Sequence, residues 1–292
     1  MSNRKSRRKE PPAHIETEYG YIQIEDTTIC GEPVRYYRHN GAYSSGTYLR
    51  EDKKYELFFD YPKKYEEAFR FLEIKNALMI GGAAYQYPKY YISHHEGNMD
   101  VVEIDPVAEQ IAREWFFLED LYQDFDLYTN HRLNCITANA REYLAATDKI
   151  YDVVFNDAFT GSSPVPELAT LEAASAIQEH LIDGGIYMSN IIGSTIGKDS
   201  EFLKSMIATV KHVFRYVHLL YTNPQDRSGL YRGNYMVLAT DREVEPSDII
   251  RYHSSRYDTI LTDAALKKLY FNSLSMPSEK NLNYVDIFTI LC

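Results

Sequence analysis

Two features in the first third of the chain have the residue types of a nucleoside site. The apolar run Ala77–Ile80 ends in Gly81-Gly82-Ala83, and a second apolar run ends at Glu103, 22 residues after Gly81. Small residues let the backbone approach a ligand closely. The N–H groups of such a turn can hold a carboxylate or another polar ligand group. An acid about 20 residues beyond the turn is where a ribose diol is bound in dinucleotide sites.

Structural alternatives stay open for both features. The pattern Gly-Gly-Ala-Ala lacks the Gly-x-Gly-x-x-Gly spacing of a dinucleotide site. Gly81 and Gly82 therefore fit a tight turn without a ligand as well as they fit a ligand loop. Glu103 is either a ribose-binding acid or a surface acid. Asp105 precedes Pro106, and this pair predicts a helix N-cap followed by proline in the first turn.

Two more polar residues follow the next two predicted strands. Asn139 comes after Leu133–Thr137, and Asp157 comes after Tyr151–Phe155. Open α/β sheets bind ligands beyond the carboxyl ends of their strands. Asn139 is either a contact for an adenine edge or the cap of the next helix. Asp157 has three possible roles: it binds an amine, it acts as a base, or it is a turn residue. It is the one residue here that we predict to be catalytic.

Strands and helices alternate through residues 76–221. This order predicts an α/β fold with an open, mostly parallel sheet and helices on both faces. The predicted strand at 235–239 follows the predicted strand at 213–221 closely, so we expect an antiparallel strand at the sheet edge. Such a sheet would bring the ends of the strands before Gly81, Asn139 and Asp157 to one side of the molecule.

The chain divides into four predicted segments. Residues 1–14 form a basic tail that we expect to be disordered and solvated. Residues 15–60 form a small antiparallel β region, because alternating apolar residues are separated by turn signals. Residues 61–243 form the Rossmann-like nucleoside-binding domain. Residues 244–292 form a C-terminal helical extension.

Composition and charge exclude several classes of protein. The 292 residues have a net charge of −11, which argues against general nucleic-acid binding and suits a cationic substrate. No run of about 18 apolar residues exists, so no membrane partner is expected, and the N-terminus lacks the apolar segment of a signal peptide. Cys30, Cys135 and Cys292 fit neither a metal site nor a disulfide framework, so we expect a cytoplasmic protein without a metal.

Four motifs together resemble the spermidine synthase-like family. They are Ile-Gly-Gly-Ala-Ala-Tyr-Gln-Tyr-Pro-Lys-Tyr-Tyr at 80–91, Val-Val-Glu-Ile-Asp-Pro at 101–106, Asn-Ala-Arg-Glu-Tyr-Leu at 139–144 and Tyr-Asp-Val-Val-Phe-Asn-Asp-Ala-Phe-Thr-Gly at 151–161. They occur in the family's order, and the resemblance covers about residues 15–240. It implies a Rossmann-like class I methyltransferase fold. It also implies a ligand such as S-adenosylmethionine or decarboxylated S-adenosylmethionine, with methylthioadenosine as the product of the latter.

The resemblance also implies roles for single residues. Gly81 and Gly82 match the nucleoside loop, Glu103 matches the ribose-binding acid, and Asp157 matches the first acid of the catalytic loop. The complete predicted cofactor site consists of Gly81, Gly82, Ala83, Glu103, Ile104, Asn139, Ala140 and Asp157. The family implies a small amine substrate and a homodimer formed through the N-terminal strands.

Two positions depart from the family pattern. Ala84 stands where the family has the Asp that holds the amine of the nucleoside, and Thr160 stands where it has the second acid of the catalytic loop. A threonine cannot deprotonate an ammonium at neutral pH. The leading hypothesis is a transferase that moves an aminopropyl group to an amine such as putrescine. A methyltransferase and a non-catalytic nucleoside-binding protein are the alternatives.

Overall fold

An N-terminal antiparallel sheet precedes the main domain. A computed structural model describes residues 11–197, 200–223, 232–251 and 259–266. Most of the predicted basic tail and much of the predicted C-terminal extension lie outside these residues. The first four strands, in the order β1-β2-β3-β4, are β1 (Ile15–Thr17), β2 (Gly20–Ile29), β3 (Glu32–His39) and β4 (Ala42–Tyr48). They confirm the antiparallel region that the turn signals predict.

Within the described residues, the main sheet has eight strands in the order β14-β12-β13-β11-β8-β5-β6-β7. Its strands are β5 (Asn76–Ile80), β6 (Asn98–Glu103), β7 (Leu133–Thr137), β8 (Tyr151–Asn156), β11 (Leu181–Gly193), β12 (Tyr216–Tyr221), β13 (Gly233–Thr240) and β14 (Ile249–Ile250). The five strands from β11 to β7 pair in parallel. A separate two-stranded ribbon consists of β9 (Phe159–Thr160) and β10 (Ser163–Pro164).

Helices cover both faces of this sheet. The α-helices are α1 (Gln86–His94), α2 (Pro106–Trp115), α3 (Leu118–Asp124), α4 (Leu127–Asn130), α5 (Ala140–Ala146), α6 (Leu171–Glu179) and α7 (Glu201–Val210). In the described part of the chain, 3-10 helices lie at Glu51–Lys53, Tyr61–Arg70 and Pro166–Leu168. Among the described residues, none of the helices is long and apolar enough to cross a membrane.

Successive residues of β5 point into two different cores. Met79 packs with Tyr65 and Tyr87 on one face, while Ile80 packs with Ile177 of α6 on the other. Burial on both faces explains why the parallel strands are continuous apolar runs in the sequence. A third cluster packs Ile22 and Ile24 of β2 against Ala84, Ile111 and Phe116, so the N-terminal sheet is fixed against the turn after β5.

Two details differ from the predictions. The antiparallel strand exists, but β13 lies between β11 and β12, and the short β14 occupies the edge. Because β13 lies between two strands, the backbone groups on both of its edges form hydrogen bonds. Cys30 is disulfide-bonded, a pairing that the cysteine spacing did not predict, whereas Cys135 is a free thiol.

Candidate active site

A cavity of about 1780 Å³ lies at the carboxyl ends of β5, β6 and β8. All eight residues of the predicted cofactor site line it: Gly81, Gly82, Ala83, Glu103, Ile104, Asn139, Ala140 and Asp157. Parallel strands bring their carboxyl ends to the same edge of a sheet, which explains how residues up to 76 positions apart meet. The volume exceeds the 300–1,000 Å³ of ordinary small-molecule pockets, so it has room for two ligands.

Gly81 is required by a close approach between neighbouring strand ends. Its φ is +91°, and a Cβ there would lie 2.7 Å from the backbone oxygen of Asp157. Ala83 and Tyr85 also have positive φ, at +45° and +55°. Non-glycine residues adopt this region at a cost in free energy, and such strain concentrates at functional sites. The turn is thus held in one shape by its contact with the end of β8.

Glu103 fastens that turn to the end of β6. Its Oε2 accepts hydrogen bonds from Gly82 N at 2.7 Å and Ala83 N at 3.0 Å, and its Oε1 accepts one from Asp105 N at 3.0 Å. The N–H groups of the turn therefore bind a carboxylate, as the sequence suggested, but it belongs to the protein. A carboxylate has about four acceptor positions, so one remains for a ligand hydroxyl in this arrangement.

Both predicted helix caps are present beside the cavity. Asp105 accepts a hydrogen bond from Val107 N at 2.9 Å. The Asn139 Oδ1 accepts from Arg141 N at 2.9 Å, at the start of α5. Capping therefore occupies the oxygen of Asn139, and the NH₂ group is the part of the amide that can reach a ligand. Ile104 has 40% of its surface exposed, an unusual degree for a large apolar residue that lines a cavity.

Asp157 lies at the end of β8, where two neutral side chains hold its carboxylate. Asn190 Nδ2 donates to Oδ1 at 2.8 Å, and the Tyr61 hydroxyl donates to Oδ2 at 3.0 Å. Burial raises the pKa of Asp157 to about 6, while hydrogen bonding from Asn190 and Tyr61 acts in the opposite direction. A carboxyl with this pKa is ionised at neutral pH and takes up a proton more readily than an ordinary aspartate, as a general base must.

Three residues of the site were missed in the sequence. Tyr61 begins the 3-10 helix, Asn190 lies in β11, and Gln86 begins α1; each of them lines the cavity. Gln86 Nε2 and Asn190 Oδ1 are buried without a hydrogen-bond partner. Buried polar atoms are normally paired, so these two suit a ligand. The pair Ser189-Asn190 interrupts the otherwise apolar run 186–191, and this interruption was the signal available for Asn190.

The two departures from the family pattern lie in different surroundings. Ala84 is 1% exposed and packs in the apolar cluster with Ile22 and Ile111, and it is not among the residues that line the cavity. Thr160 is exposed in the ribbon of β9 and β10 and lines the cavity. Neither position supplies a carboxylate, so Asp157 is the acid at the start of the loop that follows β8.

No set of three or more His, Cys, Asp or Glu side chains able to hold a metal ion occurs within the described residues. The polar groups that line the cavity include carboxylates, amides and hydroxyls. These groups can bind the hydroxyl and amine groups of a ligand and can move a proton.

Comparison with known proteins places the chain in a family. The model of the spermine/spermidine synthase domain matches residues 61–245. A polyamine aminopropyltransferase of Vibrio vulnificus is 30% identical over 122 residues, which are 41% of this chain and 36% of that protein. An N-terminal histidine N-methyltransferase of Emericella nidulans is 34% identical over 144 residues, 48% of this chain and 23% of that protein. The chain thus matches less than half the length of each relative.

The fold also has solved counterparts. A probable spermidine synthase from Corynebacterium glutamicum ATCC 13032 superposes with a TM-score of 0.66 at 20% identity, covering 95% of this chain and 100% of that one. This likeness confirms the class I methyltransferase-like fold. With a family match that spans most of the chain, from the 3-10 helix that carries Tyr61 to beyond β13, the chain belongs to the spermine/spermidine synthase family.

Proposed function

We propose that the protein transfers a group from the sulfonium of an S-adenosylmethionine-type nucleoside to an amine. The observation that carries this proposal is the buried Asp157 carboxylate with a pKa of about 6. It shares one cavity with the glycine turn and Glu103. A base and a nucleoside loop on neighbouring strand ends are what such a transfer needs.

The residues of the cavity fit a nucleoside of this kind. Glu103 has an acceptor position for a ribose hydroxyl, and Asn139 offers its NH₂ group to an adenine edge. The exposed side chain of Ile104 offers an apolar surface to a base. Gln86 Nε2, buried without a partner, is a donor for an oxygen of the ligand.

In the proposed mechanism, the protein aligns the reactants and removes one proton. When bound, the nucleoside supplies a carbon that the positive sulfur activates, and its C–S bond breaks with the electron pair going to sulfur. The lone pair of the amine forms the new N–C bond. The proton that the nitrogen loses passes to a carboxylate oxygen of Asp157, while Tyr61 and Asn190 hold that carboxylate in place.

The transferred group is proposed to be aminopropyl, as in the polyamine aminopropyltransferase relative, with methylthioadenosine as the second product. Methyl transfer is a second candidate, because Ala84 provides no carboxylate to hold an amine of the nucleoside. Because position 84 lacks a carboxylate, it also lacks the negative charge that would repel the carboxylate of intact S-adenosylmethionine. The other relative, an N-terminal histidine N-methyltransferase, agrees with this candidate.

Calorimetry followed by mass spectrometry tests the proposal. S-Adenosylmethionine, its decarboxylated form and methylthioadenosine are titrated into the protein, and the products formed with putrescine and other amines are then identified. An aminopropylated amine supports the leading candidate. Tight binding of intact S-adenosylmethionine with a methylated amine supports the second. Failure of all three nucleosides to bind would overturn the proposal.

A further inference from the structure

Asn190 uses one end of its amide to hold the base, and the other end is available to a ligand. Its Nδ2 donates to Asp157 Oδ1 at 2.8 Å, while its Oδ1 is buried without a hydrogen-bond partner among the described residues. Asn190 is 4% exposed and lines the cavity. Buried carbonyl oxygens are normally paired, and leaving one unpaired costs free energy. The amide oxygen is therefore an acceptor that a ligand in the cavity can satisfy.

Asp157 determines which end of this amide faces the ligand. An ionised carboxylate accepts hydrogen bonds and donates none, so the NH₂ end of Asn190 must face it. Reversal of the amide would place two acceptors against each other. The hydrogen bonds from Asn190 and from the Tyr61 hydroxyl leave the carboxylate about two further acceptor positions. The cavity thus contains two neighbouring acceptors, one on Asp157 and one on Asn190.

The spacing of these two acceptors suits the two hydrogens of one nitrogen. The nitrogen and oxygen of an amide are about 2.3 Å apart. Added to the 2.8 Å contact, this places Asn190 Oδ1 at most about 5 Å from Asp157 Oδ1. Two N–H groups at a tetrahedral angle, each with its nitrogen about 2.9 Å from an acceptor, reach oxygens about 5 Å apart. A single amine nitrogen can therefore donate to both residues at once.

We propose that Asn190 Oδ1 binds the reacting nitrogen together with Asp157 and so orients its lone pair. The inference rests on the proposed function, since it takes Asp157 as the base. The nitrogen of a neutral primary amine carries a carbon chain, two hydrogens and a lone pair. When Asp157 and Asn190 hold the two hydrogens, the lone pair has one direction left, which is toward the carbon bound to sulfur.

This arrangement selects a primary amine as the reacting group. As the N–C bond forms and the C–S bond breaks, the electron pair of the C–S bond goes to sulfur. The hydrogen held by Asp157 passes to its carboxylate as a proton, and the hydrogen held by Asn190 stays on the nitrogen. A neutral secondary amine has one hydrogen on nitrogen and cannot occupy both acceptors. The nitrogen of the product is therefore a poor substrate for a second transfer.

Three amines with a single nitrogen test the proposal by calorimetry at pH 7.5, with and without methylthioadenosine. Butylamine, N-methylbutylamine and N,N-dimethylbutylamine bind as ammonium ions with three, two and one N–H groups. Methylation keeps the positive charge, so attraction to Asp157 changes little. We expect the first two to bind within about threefold of each other. The third should bind about tenfold more weakly than butylamine, because it leaves one acceptor unpaired.

Two variants separate this role of Asn190 from its role in holding Asp157. Asn190→Leu and Tyr61→Phe each remove one donor to the carboxylate, but only Asn190→Leu also removes the acceptor. The ratio of the affinities for butylamine and N,N-dimethylbutylamine cancels any change in the charge of Asp157. This ratio should fall to about twofold or less in Asn190→Leu and stay near tenfold in Tyr61→Phe. Asn190→Ala replaces Asn190→Leu if the leucine variant does not fold.

Turnover tests the selection of primary amines with the wild type alone. The kcat/KM for N-methylbutylamine should be at least about tenfold below that for butylamine, because the neutral secondary amine leaves one acceptor unpaired and its lone pair less well oriented. A kcat/KM within about twofold of the butylamine value would overturn the inference.

The binding outcomes separate the inference from the proposed function. Equal affinity for butylamine and N,N-dimethylbutylamine in the wild type, a tenfold ratio that persists in Asn190→Leu, or binding of none of the three amines overturns the inference. If an amine is modified although the ratio is absent, the proposed function stands without the inference. If the ratio is present and is lost in Asn190→Leu, but no nucleoside binds, the amine site stands and the proposed function fails.

Discussion

Under the proposed function, the cavity has a nucleoside half and an acceptor half, which use carboxylates in different ways. On the nucleoside half, Glu103 is held by three backbone N–H groups from the turn after β5 and the start of α2. On the acceptor half, Asp157 is held by two side chains, Tyr61 and Asn190, that come from the 3-10 helix and from β11. The first carboxylate fixes backbone in place, and the second is available to exchange a proton.

This difference assigns binding and chemistry to separate groups. A carboxylate bound by several backbone N–H groups is fixed in position. Burial, in contrast, raises the pKa of Asp157 to about 6. Changes on the nucleoside half should therefore alter nucleoside affinity, and changes on the acceptor half should alter turnover.

The largest effect is expected for Asp157→Asn. The amide keeps the shape of the side chain but cannot accept the proton of the amine, so kcat should fall by about a thousandfold or more. The dissociation constant of the nucleoside, measured by calorimetry, should change by less than about twofold. Turnover that stays within about tenfold of the wild type would remove Asp157 from the mechanism.

The same variant should be more stable than the wild type at neutral pH. Because the folded pKa near 6 exceeds the ordinary value near 4, folding binds a proton between these values, and stability falls as pH rises through this window. Asp157→Asn removes this loss, which amounts to about 3 kcal/mol for a shift of about two pKa units. Urea unfolding at pH 4 and pH 7.5 measures it; an equal difference at both values would contradict the explanation.

Glu103→Gln tests the nucleoside half. The NH₂ group of the new glutamine then faces a backbone N–H group where a carboxylate oxygen accepted a hydrogen bond before. Two donors cannot bond to each other, so at least one hydrogen bond to Glu103 is lost. We expect the nucleoside to bind about tenfold more weakly and the free energy of unfolding to fall by about 1–3 kcal/mol. Glu109→Gln is the control, because Glu109 pairs with Arg113 away from the cavity. Unchanged affinity in Glu103→Gln would remove the ribose role of this acid.

Asp263→Asn should have a smaller effect on the same half. Asp263 pairs in a bidentate manner with Arg141, at 3.0 and 2.9 Å, and Arg141 follows Asn139 and Ala140 in the first turn of α5. Loosening this contact should weaken nucleoside binding about threefold and leave kcat unchanged, since partly exposed ion pairs contribute little. A change in kcat that exceeds the change in affinity would contradict the division between the halves.

The sequence predicted the nucleoside half better than the acceptor half, for a physical reason. The glycine turn, Glu103 and Asn139 each lie at or just after the end of an apolar run, and the topology of parallel strands brings such ends together without further information. The caps at Asp105 and Asn139 are likewise local patterns. The position of β13 inside the sheet depends on pairing between distant strands, which local spacing does not specify.

The acceptor half depends on contacts that no local pattern encodes. Tyr61 reaches Asp157 across 96 positions, and a tyrosine at the start of a helical stretch gives no sign of that partner. The sequence also did not predict the hydrogen bonds from the turn to Glu103. The match of Glu103 to a ribose-binding acid suggested that it contacts a ligand and not the backbone. The elevated pKa of Asp157 follows from burial that only the assembled structure provides.

The pH dependence of kcat/KM in the wild type and in Tyr61→Phe tests the central claim most directly. The wild type should show an ascending limb with an apparent pKa near 6, and Tyr61→Phe should move that limb to higher pH, because the Tyr61 hydrogen bond lowers the pKa of Asp157. Tyr55→Phe is the control, since Tyr55 donates to Asp124 at 2.7 Å outside the cavity. A limb that is absent, or that does not move in Tyr61→Phe, would contradict the assignment of Asp157 as the base.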